Sequence, residues 1–449
     1  MVADTIFALS TAPGRAGIAV VRVSGPKALE ALKTLSPGLV LEPRQIKRAR
    51  FYQPGGREEL DDGMTVWFPR PHSFTGEDVT ELFLHGGLAV VGGVLSALGG
   101  LKGLRPAEPG EFTRRAFDNG KLDLTEVEGL ADLIDAETEA QRVQALGQMG
   151  GHLGRTAERL RSQVLTCQAL VEAAIDFSDE GDVAASAFME ARARARTLLG
   201  ELDGILADGN RGEILRDGFR VAIAGPPNAG KSSLINRLAG RDAVIVSAEA
   251  GTTRDVVELH LNLGGLRVAV ADTAGVREGG GEIEKEGIKR GLAWARAAHL
   301  VVWLEDGGEE KEARGLPPEE LQGGDCEILN VISKADLIGS EQALRQYEGR
   351  ILVSSRSGEG IDRLVGAITA AALRRTGNGA SALITRPRHR LAFEIARAEV
   401  SSFLEDPPEM EELAAERLRR AGHALARLAG RIDVEDVLGE IFAQFCIGK

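Results

Sequence analysis

A chain of 449 residues with 43% hydrophobic and 27% charged side chains has a soluble globular balance and room for about two to four domains. Its net charge of −13 excludes a general nucleic-acid-coating protein. Three cysteines, Cys167, Cys326 and Cys446, stand far apart without C-x-x-C spacing, which excludes a disulfide framework or zinc site and suits a reducing cytoplasm. Asp4 sits where a leader's basic region would lie, and no apolar run approaches the ~18 residues of a membrane span, so the expectation is a cytoplasmic protein with no membrane contact.

In chain order, residues 1–119 are punctuated by Gly and Pro, and Ile18–Val23 and Met64–Phe68 have strand character. This predicts an α+β N-terminal domain. From Lys121 the period changes. Leu122, Val127, Leu130, Leu133 and Ile134 share one helical face, and helical pattern runs with interruptions through 120–213. Residues 214–376 alternate short apolar strands with polar loops, as in a mostly parallel α/β sheet. Thr376-Gly377-Asn378-Gly379-Ala380-Ser381 has linker composition. Helical pattern returns within 377–449, with Leu391, Phe393, Ile395 and Val400, then Leu413, Leu418, Leu425 and Leu428. The simplest layout inserts the α/β module into an all-α helical domain. Basic groups at Lys47, Arg48 and Arg50, at Arg386, Arg388 and Arg390, and at Arg417, Arg419, Arg420, Arg427 and Arg431 are either phosphate contacts or solvated charge.

The inserted module carries the chemistry. Gly225-Pro226-Pro227-Asn228-Ala229-Gly230-Lys231-Ser232 follows the β-rich Phe219–Ala224 and precedes the helical Ser233–Leu238. This is G-x-x-x-x-G-K-[ST], whose glycines let backbone N–H groups cradle phosphates, whose Lys reaches the β- and γ-phosphates and whose Ser meets Mg²⁺. Asp272-Thr273-Ala274-Gly275 ends the strand-like Arg267–Ala271 and reads as the D-x-x-G of GTPases. Gly251-Thr252-Thr253 lies between the two, where a threonine closes over Mg²⁺. Ser333-Lys334-Ala335-Asp336 follows Ile328–Ile332 in the guanine-reading slot, with Asp336 accepting from the base. Asn is usual at the first position, so Ser333 predicts lowered affinity with guanine preference kept. Ser354-Ser355-Arg356 fits the last base-contacting loop. The order and spacing of the set predict a Ras-like GTPase module over 214–376. Val276 stands where Ras-type enzymes have a water-orienting Gln. Glu282, Glu284 and Glu286 follow and are candidates for that task. Asn228, inside the phosphate loop, is a candidate monovalent-cation ligand near the β/γ bridge.

The chain resembles the bacterial tRNA modification GTPase family called MnmE or TrmE over nearly its whole length. The resemblance rests on Asp4-Thr5-Ile6, Pro13–Ile18, Val21-Arg22-Val23-Ser24-Gly25, Ser73-Phe74-Thr75-Gly76-Glu77-Asp78, Glu81 with His85-Gly86-Gly87, Pro109–Thr113, Lys121–Leu124 and the terminal Phe445-Cys446-Ile447-Gly448-Lys449. It implies a dimerising N-terminal domain that binds 5-formyl-tetrahydrofolate or a related one-carbon tetrahydrofolate, with Arg22, Glu81, Lys121 and Lys449 matching. It implies a nucleotide site over Asn228, Ala229, Gly230, Lys231, Ser232 and Ser233, over Ser247, Ala248, Glu249, Ala250, Gly251, Thr252 and Thr253, and over the Asp272–Gly275, Ser333–Asp336 and Ser354–Arg356 loops. Ser232 and Thr253 match Mg²⁺ ligands. Asn228, Ser247, Glu249 and Thr252 match positions that hold K⁺. Glu284 matches the glutamate acting on hydrolytic water, and Cys446 is required for tRNA modification. The implied partners are a second copy, tRNA and MnmG, which brings FAD and NADH. The implied product is an aminomethyl-type group, usually carboxymethylaminomethyl, on C5 of wobble uridine 34. Ser355, where the family more often has Ala, is a further departure beside Ser333. The competing reading is a ribosome-assembly GTPase with RNA-binding flanks, which the terminal Phe-Cys-Ile-Gly-Lys and the Arg22, Glu81, Lys121 set disfavour.

Overall fold

The computed structural model describes residues 4–56, 58–177, 181–241, 258–272, 294, 297–308, 326–338, 347, 349–377, 382–405, 411–430, 432, 438–439, 441–442, 445 and 448. They fall into two compact units: Met1–Ala131 with Gln148–Ala195 and Ser402–Lys449, and Asp132–Gly147 with Arg196–Ser401.

The first unit contains strands β1 (Thr5–Leu9), β2 (Ala16–Ser24), β3 (Lys47–Tyr52), β4 (Glu59–Phe68), β5 (Val79–Gly86) and β6 (Leu104–Pro106), in the order β3-β4-β5-β2-β1-β6. β1 and β6 run parallel and every other neighbour is antiparallel. Alternate side chains of a strand point to opposite faces, and the sequence uses both. Phe7, Val21, Val23, Leu82 and Leu84 face α1 (Ala28–Leu35) and α2 (Leu88–Gly99), where Leu32, Leu35, Val94 and Leu98 complete the core. Each of these large apolar side chains contributes about 1.5–3 kcal/mol on burial. Ile6 and Ala8 face the other way, onto Phe112 of α3 (Glu111–Asp118) and Phe74. Because Val21 and Val23 face the helices, Arg22 must lie on the Phe112 side.

Helix α4 (Leu124–Ile134) opens the helical part, followed by α5 (Glu139–Met149), α6 (His152–Asp176) and α7 (Gly181–Ala207). Leu124 and Val127 pack against Leu438, Ile441, Phe442 and Phe445 from the C-terminal stretch. Cys167, fully buried in α6, is a small core hydrophobe, and burial pushes its thiol up to about 11. The C-terminal stretch also meets the N-terminal sheet. The Ser10 hydroxyl donates to Gly448 O at 3.0 Å. Gly448 has φ +103, and a Cβ there would lie 2.0 Å from Leu9 O, so only glycine fits.

The second unit holds β7 (Phe219–Ala224), β8 (Glu258–Leu263), β9 (Leu266–Asp272), β10 (Leu300–Asp306), β11 (Glu327–Ser333) and β12 (Ile351–Leu352), in the order β12-β11-β10-β7-β9-β8. All neighbours are parallel except β8 and β9. Phe219, Val221, Ile223, Leu300, Val302 and Leu304 bury one face, and Ala222, Ala224, Val301 and Trp303 bury the other. That double burial explains why Val221–Ala224 and Leu300–Leu304 read as continuous apolar runs. Helices α8 (Arg211–Asp217), α9 (Lys231–Ala239) and α10 (Ile361–Thr376) pack against the sheet, and α11 (Pro387–Glu405) follows in the chain.

Several of the basic groups are already paired. Arg48 and Arg50 meet Asp62 at 2.6 and 3.4 Å. Arg386 meets Asp132 at 2.6 Å and Arg390 meets Glu213 at 3.1 Å. Arg419 and Arg420 share Glu416 at 2.8 Å. Arg386 and Arg390 are largely buried in these pairs, whereas Arg48, Arg50, Arg419 and Arg420 remain exposed at the surface. Arg431 lies outside the described residues.

Glu111 ties down the N-terminal sheet. It accepts from Arg105 at 2.6 and 2.8 Å, from Arg115 at 2.9 Å and from the Glu108 N–H at 2.9 Å. Burial alone raises its pKa. The hydrogen bonds from Arg105, the Glu108 N–H and Arg115 outweigh burial and hold the carboxyl at about 2. A lowered folded-state pKa gives stability that is present above the ordinary 4.5 and lost as pH falls toward 2. Glu111→Gln is therefore expected to cost about 2 kcal/mol at neutral pH, with the gap from wild type closing between pH 4.5 and 2. Urea midpoints across that range check both points.

Candidate functional site

The turn after β7 is built by backbone conformations that few residues tolerate. Gly225 has φ +151, and a Cβ there would lie 2.4 Å from Leu304 O at the end of β10. Asn228 at φ +63 and Gly230 at φ +86 are left-handed, and Gly230 caps the N-terminus of α9. Left-handed turns of this kind aim successive N–H groups into one concavity, and the helix N-terminus adds positive potential. Ala229 is fully buried beneath the loop. Lys231 is 9% exposed, and its ammonium donates to Gly225 O and Pro226 O at 2.9 and 2.8 Å. Ser232 and Ser233 occupy the first turn of α9. This arrangement suits a polyphosphate: a nest of N–H groups, a helix N-terminus and one cation held at the rim.

Asp272 is the last residue of β9, and its backbone lies opposite Ile223 in the β7–β9 ladder. The D-x-x-G sequence therefore starts beside the phosphate loop, at the carboxyl ends of central parallel strands, where open α/β sheets bind ligands. Thr273, Ala274 and Gly275 lie outside the described residues. So do Ser247, Ala248, Glu249, Ala250, Gly251, Thr252 and Thr253, the glutamates Glu282, Glu284 and Glu286, and Cys446 and Lys449 at the C-terminal end.

The structure brings the Ser333–Asp336 and Ser354–Arg356 segments together. β11 ends at Ser333, Lys334 turns left-handed at φ +53, and Ala335–Leu337 forms a 3₁₀ turn. The Ala335 N–H donates to Val353 O at 3.1 Å. The Ser354 hydroxyl donates to Asp336 Oδ1 at 2.6 Å and accepts from the Ser357 N–H at 3.1 Å. That bond from Ser354 holds the Asp336 carboxyl below its usual range, with Arg356 adding to the shift. Ser355 and Arg356 belong to the same turn. Ser333 is buried, and its hydroxyl donates to Glu305 O at 3.0 Å, fastening β11 to β10.

Two acids escaped sequence reasoning. Asp306 meets Lys334 Nζ at 2.5 Å and Glu305 meets Arg350 at 2.9 Å. Both acids are buried. The available signal was two consecutive acids closing the apolar strand Leu300–Leu304, where buried carboxylates require partners.

In the first unit, Arg22 and Glu81 stand opposite each other in the β2–β5 ladder. The Arg22 Nε donates to Glu81 Oε1 at 2.9 Å. The guanidinium lies 5.2 Å from the Phe74 ring centre and 5.7 Å from that of Phe112. Lys121 donates to Pro71 O at 2.9 Å, at the start of the loop that carries Phe74. Lys121 thus shares a loop with the Arg22 cradle. Sequence reasoning missed what braces that loop. Ser24 donates to Glu77 at 2.7 Å and lies 2.7 Å from the Thr75 hydroxyl. Arg115 donates to Glu77 at 3.1 Å, and Asn119 donates to Thr75 O at 2.7 Å. The two rings thus pack against the guanidinium of the Arg22–Glu81 pair, with Phe112 fully buried.

The parallel sheet, phosphate loop, adjoining β9 terminus and paired base-reading turns define a P-loop GTPase module. The family model for the GTP-binding protein TrmE N-terminus matches residues 5–121, and that for the MnmE helical domain matches residues 124–446. Proteins named tRNA modification GTPase MnmE match along almost the entire chain. The one from Parvibaculum lavamentivorans is 51% identical, covering 99% of this chain and 100% of its own. Those from Rhodopseudomonas palustris (strain ATCC BAA-98 / CGA009) and Azorhizobium caulinodans are 49% and 50% identical, each covering 99% of both chains. The chain belongs to the MnmE family of tRNA modification GTPases.

The approach of Gly225 to Leu304 O sets an expected outcome. Gly225→Ala forces the loop off β10, costing about 2 kcal/mol or more. A lowered thermal midpoint together with lost binding of a fluorescent guanine nucleotide is the predicted pair of readouts.

Proposed function

We propose that the protein hydrolyses GTP with Mg²⁺ and couples that cycle to modification of tRNA. The observation that carries the proposal is full-length similarity to tRNA modification GTPases, combined with a phosphate loop closed by Lys231. In this reading the chain divides into a dimerising, tetrahydrofolate-binding domain over 1–119, a helical domain over 120–213 and 377–449, and a GTPase module over 214–376. The finer product is a carboxymethylaminomethyl or related aminomethyl-type group at C5 of wobble uridine 34. It is made by a homodimer working with MnmG, which carries FAD, in the cytoplasm.

The residues take these roles. The backbone of Asn228–Ser233 cradles the phosphates, and Lys231 neutralises charge developing on the γ-phosphate. Ser232 and Thr253 hold Mg²⁺. Asn228, Ser247, Glu249 and Thr252 hold K⁺, which supplies positive charge near the β/γ bridge. Asp272 and Gly275 address the metal-bound water and the γ-phosphate. Glu284 orients the attacking water in place of the absent Gln. Asp336 accepts from the guanine N1–H and its exocyclic amine, already aligned by the Ser354 hydroxyl. Arg22, Glu81, Lys121 and Lys449 hold the one-carbon tetrahydrofolate. Cys446 serves the modification step.

Three outcomes are expected. Mass spectrometry of tRNA nucleosides from cells lacking this chain should show loss of a C5-aminomethyl-type wobble uridine, restored by complementation; unchanged nucleosides with a ribosomal-subunit defect would move the assignment to ribosome assembly. Asp336→Asn should weaken GDP binding by about 100-fold, since two charge-assisted hydrogen bonds are lost, while xanthosine diphosphate gains affinity, as read by calorimetry. Replacing K⁺ with Na⁺ should slow GTP turnover about tenfold or more; equal rates in a phosphate-release assay count against the cation assignment.

A further inference from the structure

The strands that end in the nucleotide loops begin at a polar junction at their opposite, amino ends. β7 starts at Phe219, just after Arg216, Asp217 and Gly218, and leads to Gly225. β9 starts at Leu266 and Arg267 and leads to Asp272. At about 3.3 Å per residue, each spans roughly 20 Å. In sequence, the β8–β9 hairpin lies between the Gly251–Thr253 and Asp272–Gly275 motifs. Its turn, at Gly264 and Gly265, is thus the far end of the element that joins the two nucleotide-sensing motifs.

That far end is held by residues 132–147. The Ala140 N–H donates to Gly265 O at 3.3 Å. Glu137 meets Arg267 at 3.2 Å, with both side chains about three-quarters buried. Ala140 packs against the module's core. The same segment grips the chain where it enters and leaves the module. Gln141 donates to Arg216 O at 2.8 Å and Gln144 to Gly212 O at 3.1 Å. The carboxylate of Asp132 receives Arg216 at 2.9 Å, on the way in, and Arg386 at 2.6 Å, on the way out. Entry and exit are also bound directly, by Arg211 to Thr376 O at 3.2 Å and Arg390 to Glu213 at 3.1 Å. Beside these contacts runs a polar cleft of about 390 Å³, lined by Asp132, Gln141, Gln144, Arg216, Arg220 and Arg267. Ion pairs at the edge of a wet cleft exchange partners more readily than an interdigitated apolar core repacks.

We infer that Glu137 and Asp132 are positioning residues of a relay. The β8–β9 hairpin passes nucleotide state to residues 132–147 through Glu137–Arg267 and Ala140–Gly265, and the Asp132 clamp carries it to the entry and exit of the module and so to the start of α11. Neither residue touches nucleotide. Both act on what the GTPase cycle moves.

The inference rests on the reading of the module as GTP-binding, and the test separates the two. The full-length wild type, Glu137→Gln and Asp132→Asn are loaded with GDP or with a non-hydrolysable GTP analogue. Amide hydrogen exchange is then followed in peptides covering 132–147 and 384–400, with nucleotide affinities measured on the same samples. The expected result is a wild-type exchange ratio between the two states that shrinks about fivefold in each variant, with affinities within about twofold of wild type. An unchanged ratio in both variants overturns the relay. So does a wild type with no ratio although both nucleotides bind, or a variant whose ratio and nucleotide binding are lost together, since the contacts then only hold the fold. Failure of the wild type to bind either nucleotide instead overturns the GTPase reading beneath it.

Discussion

A β-strand offers two faces, and both sheets of this chain assign them different partners. In the N-terminal sheet, Val21 and Val23 must reach α1 and α2. Arg22 between them is thereby sent to the opposite face, where Glu81 stands directly across the ladder. No separate device is needed to bring this charge pair beside Phe74 and Phe112. In the second sheet neither face is spare, because alternate residues of β7 and β10 are buried on both sides. Polar chemistry is therefore excluded from the strands' length and confined to their ends. The carboxyl ends carry the phosphate loop, the start of D-x-x-G and the Ser333–Asp336 and Ser354–Arg356 turns, and the opposite ends of β7 and β9 adjoin the Asp132 junction.

The same constraint explains what could be read from the sequence. The phosphate loop was legible because its geometry is local: Gly225, Asn228 and Gly230 carry the required backbone angles within six residues. The alternating apolar strands and the helical period after Lys121 were legible for the same reason. Partnerships across long separations were not. Arg22 and Glu81 lie 59 positions apart, and only the resemblance named them together. The Asp132 clamp joins residues 254 positions apart and left no mark in local pattern. The runs of arginine were ambiguous because a sequence does not reveal whether Asp62, Asp132, Glu213 or Glu416 stands beside them. In the structure they do, so these guanidinium groups are drawn into ion pairs.

Gly448 shows a glycine whose reason is long-range. In the sequence it is one residue of a terminal signature. In the fold its missing side chain is what lets the tail lie against Leu9 O while Ser10 bonds its carbonyl. The tail therefore carries a structural demand alongside any role of Cys446. A change at position 448 therefore affects where the tail sits.

Ser333 deserves the same separation of tasks. The amide of the usual Asn offers donors and an acceptor for tying neighbouring loops together, whereas a serine hydroxyl has one donor. Here that donor is committed to Glu305 O, joining β11 to β10. The alignment of Asp336 is taken up by the hydroxyl of Ser354, which is itself braced by the Ser357 N–H, and Lys334 is anchored on Asp306. The work of one amide is thus divided among Ser333, Ser354 and Asp306. Asp336 thus keeps a carboxylate aligned by Ser354, while the hydroxyl at 333 serves the β10–β11 pairing.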